Sequence, residues 1–421
     1  MHTLDQLKSG ALKGITRLDL SANLDYFPEE IFSLADSLEV LNLSGNQLAT
    51  LPDDLPRLHK LKVIFCSDNP FTELPEVLGA CENLEMVGFK ACQIKTVSPK
   101  ALPKKLRWLI LTDNVIEALP DELGQCERLQ KLMLSGNRLT HLPDLSACTN
   151  LELIRLAANQ LSSLPEWLFN LPRLAWLAFA GNPIALNPPA AEADFTGALT
   201  LGALLGQGAS GMVYEVTHQA TLCAYKRFKG QMTSDGLPAN EIAATLRAGT
   251  HPNLIKPYGT FLEDGETTPG LLLEKLAANY QVLAGPPTLA SCTRDHYKEV
   301  RFTQPWVLDV LTQCALVLEH LHARGILHGD FYAHNLLINE QGHVLLSDFG
   351  AATLYRPEDA QALMRLEVCA FGYLLEELTS RATLTPDCRD ELMALYQACT
   401  QAPQLRPTFT DIAASFKALA V

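Results

Sequence analysis

The 421-residue chain has no apolar run approaching the roughly 18 to 20 residues needed to cross a bilayer, and its opening stretch, MHTLDQLKSG, has no basic segment followed by an apolar one. Neither a membrane span nor a leader is expected, and a cytoplasmic location follows. Basic clusters are also missing. With 33 Lys and Arg against 47 Asp and Glu, the net charge of −14 excludes nucleic acid and anionic membrane surfaces as natural partners. Eleven cysteines occur, but never as C-x-x-C and never beside histidine, so neither a disulfide framework nor a zinc site is signalled and reduced thiols are expected. Charged residues at 19% and hydrophobic residues at 48% exclude wholesale disorder. A chain of this length is expected to fold as two domains.

The first half repeats. Segments begin at Ile15, Leu38, Leu61, Leu84, Leu106, Leu129, Leu151 and Leu174, at spacings of 22 or 23, and each follows L-x-x-L-x-L-x-x-N/C-x-L, as in LEVLNLSGNQLATLP from Leu38 to Pro52. This is the leucine-rich repeat pattern. One short strand per turn stacks leucines into a continuous core. Asn23, Asn46, Asn69, Asn114, Asn137, Asn159 and Asn182, with Cys92 in the fourth repeat, are expected to bond backbone groups as a ladder along the solenoid. Cys81, Cys126 and Cys148 recur before the next strand and read as core filler. The first repeat is one residue short, which suits a terminal cap.

Solvent-facing strand positions on the concave side form two columns that are mostly apolar in the middle. Val63, Phe65, Met86, Trp108, Ile110, Met133, Leu153 and Trp176 are the expected face for a protein partner. The alternative is that they pack on one another or on the chain's own second domain. The period stops after residue 185, and Pro188-Pro189 marks a linker over 186–198.

From residue 199 the chemistry changes. LGQGASGMVYEV contains G-x-G-x-x-G-x-V at Gly206, Gly208, Gly211 and Val213, glycines that let backbone approach phosphate oxygens. A strand-like TLCAYKRF carries Lys226 thirteen residues past Val213, and Glu241 follows in a helical stretch. His328-Gly329-Asp330, then Asn335 five residues on, then Asp348-Phe349-Gly350 complete the series. In order and spacing, residues 199–421 resemble the protein kinase family, with an N-lobe over 199–273 and a C-lobe over 277–421. The THPNLI after Glu241 and the LRPTF near the end are similar to that family too.

The resemblance implies ATP and Mg²⁺. Lys226 would hold phosphates and pair with Glu241, Asn335 and Asp348 would ligate the metal, and Asp330 would accept the proton of the attacking hydroxyl. Leu205, Val213 and Ala224 would cover the base and Leu337 would underlie it. Leu273 would back the pocket, and Glu274 to Leu276 would form the hinge.

Several positions depart from the family. Gly329 replaces the arginine that meets an activation-loop phosphate in kinases, so activity should not depend on such a phosphate. The same H-G-D wording occurs in small-molecule kinases. Tyr332 and His334 stand where kinases place a lysine or an arginine near the γ-phosphate, and are possible auxiliary groups. Only 16 residues separate Gly350 from Glu367 of EVCAFGYLLEEL, where the family has aspartate, and the A-P-E triplet is missing. Glu358 is a candidate partner for Arg406, and Thr353 and Tyr355 are candidate autophosphorylation sites. Residues 284–306 resemble an insertion that either closes the lobe or meets substrate.

The expected architecture is therefore multidomain: a leucine-rich repeat solenoid (α/β) over residues 1–185, then a bilobal protein kinase-like domain (α+β) with a shortened C-lobe. The expected function is Ser/Thr protein kinase activity with the repeats holding a protein partner or substrate. A nucleotide-binding pseudokinase scaffold and a small-molecule kinase are the alternatives.

Overall fold

The computed structural model describes residues 2–187, 193–208, 210–230, 232–233 and 235–419. Contacts divide the chain into two compact units, Met1–Leu171 and Pro172–Val421.

The first unit opens with helix α1 (Leu4–Lys8), where Thr3 and Gln6 satisfy each other's backbone N–H groups in a capping box. Seven three-residue strands follow: β1 (Arg17–Asp19), β2 (Val40–Asn42), β3 (Val63–Phe65), β4 (Met86–Gly88), β5 (Trp108–Ile110), β6 (Lys131–Met133) and β7 (Leu153–Arg155). Each pairs in parallel with the next, without register shift. Their central residues, Leu18 through Ile154, are buried and form the stacked core. The chain returns through short 3₁₀ turns such as Glu76–Ala80 and Asp121–Gln125. Pro75 and Pro120 precede these turns, their rings fixing φ at −60° and −70°.

The asparagine ladder stands between successive turns. Asn137 is typical: its Oδ1 accepts from the Ile116 N–H at 3.0 Å, and its Nδ2 donates to the Leu111 and Leu134 carbonyls at 2.9 Å each. Asn46, Asn69, Asn114 and Asn159 do the same in their repeats. The Cys92 thiol makes the longer equivalents, at 3.5 and 3.6 Å to the Cys66 and Lys90 carbonyls. Asn23 departs from the expectation. It is exposed with φ 52°, and Asn46 takes the N–H groups of Ala22 and Leu24 on either side of it. Cys81, Cys126 and Cys148 are buried, and burial pushes the Cys81 thiol up to about 11 and the Cys148 thiol up to about 12.

The apolar columns of the first unit are knitted together. The Phe65 ring covers Gly88 so closely that a Cβ there would lie 2.5 Å from it, with Ile110 beyond. The Trp108 indole N–H points to the Met133 sulfur at 3.3 Å, and the Lys131 ammonium sits 4.6 Å from the same ring. Val63, Met86 and Leu153 are buried, while Phe65, Trp108, Ile110 and Met133 are half-buried.

The second unit begins with the eighth repeat, whose strand β8 (Trp176–Ala178) lies past the contact divide although the sequence period runs to residue 185. Pro188 and Pro189 of the expected linker lie outside the described residues. A six-stranded sheet follows in the order β10-β11-β12-β14-β13-β9. Its strands are β9 (Phe195–Gly197), β10 (Leu204–Gln207), β11 (Gly211–His218), β12 (Thr221–Phe228), β13 (Pro257–Glu263) and β14 (Gly270–Glu274). Helix α2 (Pro238–Ala248) interrupts it between β12 and β13. The helical remainder is α3 (Gln304–His322), α4 (Ala360–Ser380), α5 (Pro386–Thr400) and α6 (Phe409–Leu419). Helix α4 is its core, buried almost all round from Leu366 to Leu375. Arg406 does not pair with Glu358. It is buried and donates to the carbonyls of Gln401, Arg365 and Pro172, because those oxygens surround its guanidinium at 2.7 to 3.0 Å.

Removing a ladder amide strands buried partners on both sides, so Asn137→Ala is expected to lower stability by about 2–4 kcal/mol, read as a lower urea midpoint for the full chain.

Candidate functional site

Antiparallel pairing of β11 with β12 sets Val213 opposite Lys226, and β14 sets Leu271 and Leu273 opposite Lys226 and Ala224. This register builds the roof of a cleft of about 530 Å³, of the size that takes a small ligand. All eleven residues placed on a nucleotide pocket from sequence, Leu205 to Leu337, line it. So do Ser210, Thr245, Tyr280 and Ser347, which carried no motif and come to the wall only through folding. Gly211 must be glycine, since a Cβ would meet the Arg227 carbonyl oxygen of β12 at 2.4 Å. Gly206 and Gly208 have open space where a Cβ would stand, leaving room for a ligand to approach the backbone.

Helix α2 opens with Pro238 in its first turn, where a missing N–H costs nothing, and aims Glu241 inward. Glu241 is buried and accepts from the Lys226 ammonium, which also lies 3.9 Å from Asp348 Oδ1. Burial outweighs the ammonium and pushes the Glu241 carboxyl up to about 6. Asp348 holds a left-handed backbone, φ 55° and ψ 81°, and its carboxylate accepts from the Gly350 N–H at 3.2 Å. Its side chain is half exposed, in keeping with a role toward a cation.

The loop around Asp330 is held from behind. Buried Glu367 accepts the Gly329 N–H at 2.8 Å, the His328 N–H at 3.3 Å and His322 Nε2 at 2.8 Å. Burial would raise this carboxyl, but the bonds from His322 and Gly329 more than offset it and hold it below the ordinary value. His328 Nδ1 accepts the Asp330 N–H at 3.3 Å, which leaves its Nε2 to donate to the Ser347 carbonyl at 3.0 Å. Asn335 Nδ2 donates to the Asp330 carbonyl and carboxylate at 2.8 and 2.9 Å. Both bonds use the nitrogen and leave the amide oxygen for a hard cation such as Mg²⁺, which prefers oxygen. The Ser347 hydroxyl donates to the Asn335 carbonyl at 2.8 Å and so ties Asn335 to the residue preceding Asp348.

Tyr332 lies differently from the expectation. Tyr332 is buried and stacked on Trp176, ring centroids 4.1 Å apart and 7° from parallel, so it packs rather than faces the cleft. His334 Nδ1 and its backbone N–H both meet Asp295, at 2.7 and 2.9 Å. Burial lowers the basicity of His334, and Asp295 with Asp330 and Asp348 overcomes this and raises it above the ordinary histidine value. Asp295 belongs to the 284–306 insertion, and no local signal marked it. Two other residues of that insertion pack against helix α4: Arg294 lies 3.7 Å over the Tyr373 ring, and the Tyr297 hydroxyl donates to Glu377 at 3.0 Å.

Trp176, expected on the partner face, is buried within the second unit and donates its indole N–H to the Phe331 carbonyl at 2.9 Å. Thr353 and Tyr355, expected as autophosphorylation sites, are buried as well. The Thr353 hydroxyl accepts the Phe179 N–H at 3.1 Å and the Tyr355 hydroxyl contacts His322 at 2.9 Å, so neither is presented as an acceptor.

A protein kinase domain model matches residues 199–389, and leucine-rich repeat models match residues 127–184 and 37–58. Cyclin-dependent kinase C-2 C of Arabidopsis thaliana is 30% identical over 184 residues, 42% of this chain and 27% of that protein. Ribosomal protein S6 kinase alpha-2 of Mus musculus is 28% identical over 175 residues, 38% of this chain and 21% of the relative. 3-Phosphoinositide-dependent protein kinase 1 of Homo sapiens is 32% identical over 132 residues, 30% of this chain and 21% of the relative. The chain thus spans between about a fifth and a third of the length of the curated relatives it matches. Among the described residues, no helix is long and apolar enough to cross a membrane.

Glu377 offers a pH test of the insertion. Burial, then the nearby Asp295 carboxylate, push it up to about 7 despite the Tyr297 hydroxyl, Arg294 and Arg381. A carboxyl raised above its unfolded value binds its proton more tightly when folded. Its contribution is therefore full below about 4.5 and is lost as pH rises through about 7. Glu377→Gln is expected to raise the thermal midpoint at pH 8 by about 5 °C, and the difference should close by pH 5.

Proposed function

This chain carries leucine-rich repeats followed by a protein kinase domain, and we propose that it transfers the γ-phosphate of ATP to Ser or Thr hydroxyls of a protein substrate. One observation supports this above the rest: Lys226, Glu241 and Asp348 line one cleft whose walls suit a nucleotide, and Asp330 and Asn335, bonded to each other, are tied to the cleft residue Ser347 through the Asn335 carbonyl. Lys226, oriented by Glu241, holds the donor phosphates. Asn335 and Asp348 supply oxygen ligands to Mg²⁺, which when bound neutralises phosphate charge. Asp330, fixed by the amide of Asn335 and the ring of His328, orients the acceptor hydroxyl and takes its proton. We place the reaction in a reducing compartment, the cytoplasm, where eleven free thiols, ten of them buried, persist.

The small-molecule alternative loses its motif support. Gly329 has φ 73°, and a Cβ would lie 2.5 Å from the Leu177 carbonyl oxygen, so packing alone explains the H-G-D wording. A nucleotide-binding scaffold without transfer is the second reading, favoured by Tyr332, which packs where a cation would aid transfer. The repeats of the first unit hold the protein partner, with the half-buried Phe65, Trp108, Ile110 and Met133 as its contact face.

Side-by-side assays of [γ-³²P]ATP transfer to a generic protein acceptor should show Asp330→Ala slower by about 10²- to 10⁴-fold with nucleotide affinity retained. Binding without transfer by both proteins would establish the scaffold instead. Trp108→Ala should weaken transfer to a physiological protein substrate by about fivefold in kcat/KM and leave ATP affinity unchanged. An equal effect on both would remove the partner face.

A further inference from the structure

The catalytic loop of this chain lacks the arginine through which an activation-loop phosphate orders kinases. Something else stands at that place. Strand β8 runs against the loop, with the Leu177 carbonyl oxygen 2.5 Å and the Ala351 carbonyl oxygen 2.9 Å from where a Gly329 Cβ would project. An arginine at 329 has no room, and its absence is matched by the strand that fills its space.

Three further contacts continue this packing. The Trp176 indole N–H donates to the Phe331 carbonyl at 2.9 Å, directly after Asp330, and its ring stacks on Tyr332. The Phe179 N–H donates to Thr353 Oγ1 at 3.1 Å. The Leu186 N–H donates to the Leu354 carbonyl at 2.9 Å. Thr353 and Leu354 pair in turn with Leu327 and Ile326, immediately before His328. The eighth repeat therefore holds both sides of the reaction centre: the loop bearing Asp330, and the segment that follows Asp348-Phe349-Gly350.

Trp176 is fixed from its far side as well. Arg294 lies 5.5 Å from its ring and 3.7 Å from that of Tyr373, and Tyr373 is itself 5.5 Å from Trp176. The Tyr373 hydroxyl donates to the Arg173 carbonyl at 3.3 Å, and Arg406 donates to the Pro172 carbonyl at 2.7 Å. An aromatic and cationic stack of this kind is rigid, and rigid support behind a catalytic carboxylate sustains turnover, since a misplacement of about 1 Å costs about 10²-fold.

We infer that the eighth leucine-rich repeat is a built-in brace of the catalytic loop, with Trp176 as its positioning residue, doing by packing what a phosphorylated activation segment does elsewhere. The minimal catalytic unit then begins at about Pro172 rather than at the start of the kinase motifs. The inference rests on the phosphotransfer reading above.

The test uses the full chain. Trp176→Phe keeps the ring stack and loses the indole bond, and Trp176→Ala loses both. Expected are losses in kcat of about fivefold and about 50-fold, with the KM for ATP and the nucleotide Kd within about twofold of wild type. Hydrogen exchange of amides in 326–338 should quicken by about tenfold in Trp176→Ala while the six-stranded sheet keeps its protection, which separates a loosened loop from an unfolded protein. Phosphatase treatment of the wild type should leave its rate unchanged. A Trp176→Ala protein with wild-type kcat and wild-type loop protection overturns the brace, and a rate abolished by phosphatase overturns its role in place of a phosphate. Absence of transfer by the wild type defeats the phosphotransfer reading instead. In that case loop exchange in Trp176→Ala still decides the brace, quickened exchange supporting it and unchanged exchange refuting it.

Discussion

The Glu367 carboxylate, buried in the centre of helix α4, is the anchor on which the loop bearing Asp330 depends. A charge in that position must be fully partnered, and the partners it has are two backbone N–H groups of the catalytic loop and the ring of His322. The loop cannot move without exposing that carboxylate to an apolar interior. From this fixed point His328 takes its orientation, His328 and Asn335 position Asp330, and Ser347 links Asn335 to the residue preceding Asp348. Glutamate in place of aspartate reaches one methylene farther and still meets both N–H groups.

On the other side of the loop the constraint is steric. Gly329 has a left-handed backbone and an oxygen of strand β8 where a side chain would begin, so its identity is set by a neighbour some 150 residues earlier in the chain. A carboxylate bonded from within and a strand packed from the repeat side hold the loop on both faces. Tyr332, which stands where kinases place a lysine near the γ-phosphate, is one half of the stack on the Trp176 ring.

The two halves of the chain differ in how local their physics is. Each leucine-rich turn contacts mainly its neighbours, so strand position, core residues and the Asn ladder follow from a period of 22 or 23 and were legible from letters alone. The failure at Asn23 is local too: ladder amides bond the backbone of the repeat before their own, the first repeat has none before it, and Asn46 takes the backbone groups around Asn23. In the second unit the cleft residues were legible because the protein kinase pattern sets fixed residue types at fixed spacing. Asp295 was not, since its contact with His334 bridges 39 residues and a lone aspartate carries no motif.

The sequence by itself determined the solenoid, the sheet-and-helix kinase architecture, the glycine loop, and the set of Lys226, Glu241, Asp330, Asn335 and Asp348. These depend on periodicity and on spacing along the chain. Only the tertiary structure decided what Gly329, Tyr332, Trp176, Thr353 and Tyr355 do. Their roles are set by burial and by partners distant in sequence, and the same letters read equally well as an exposed face, a missing cation or a modification site. Close packing admits one neighbour per surface, and which neighbour that is appears only when the chain has folded.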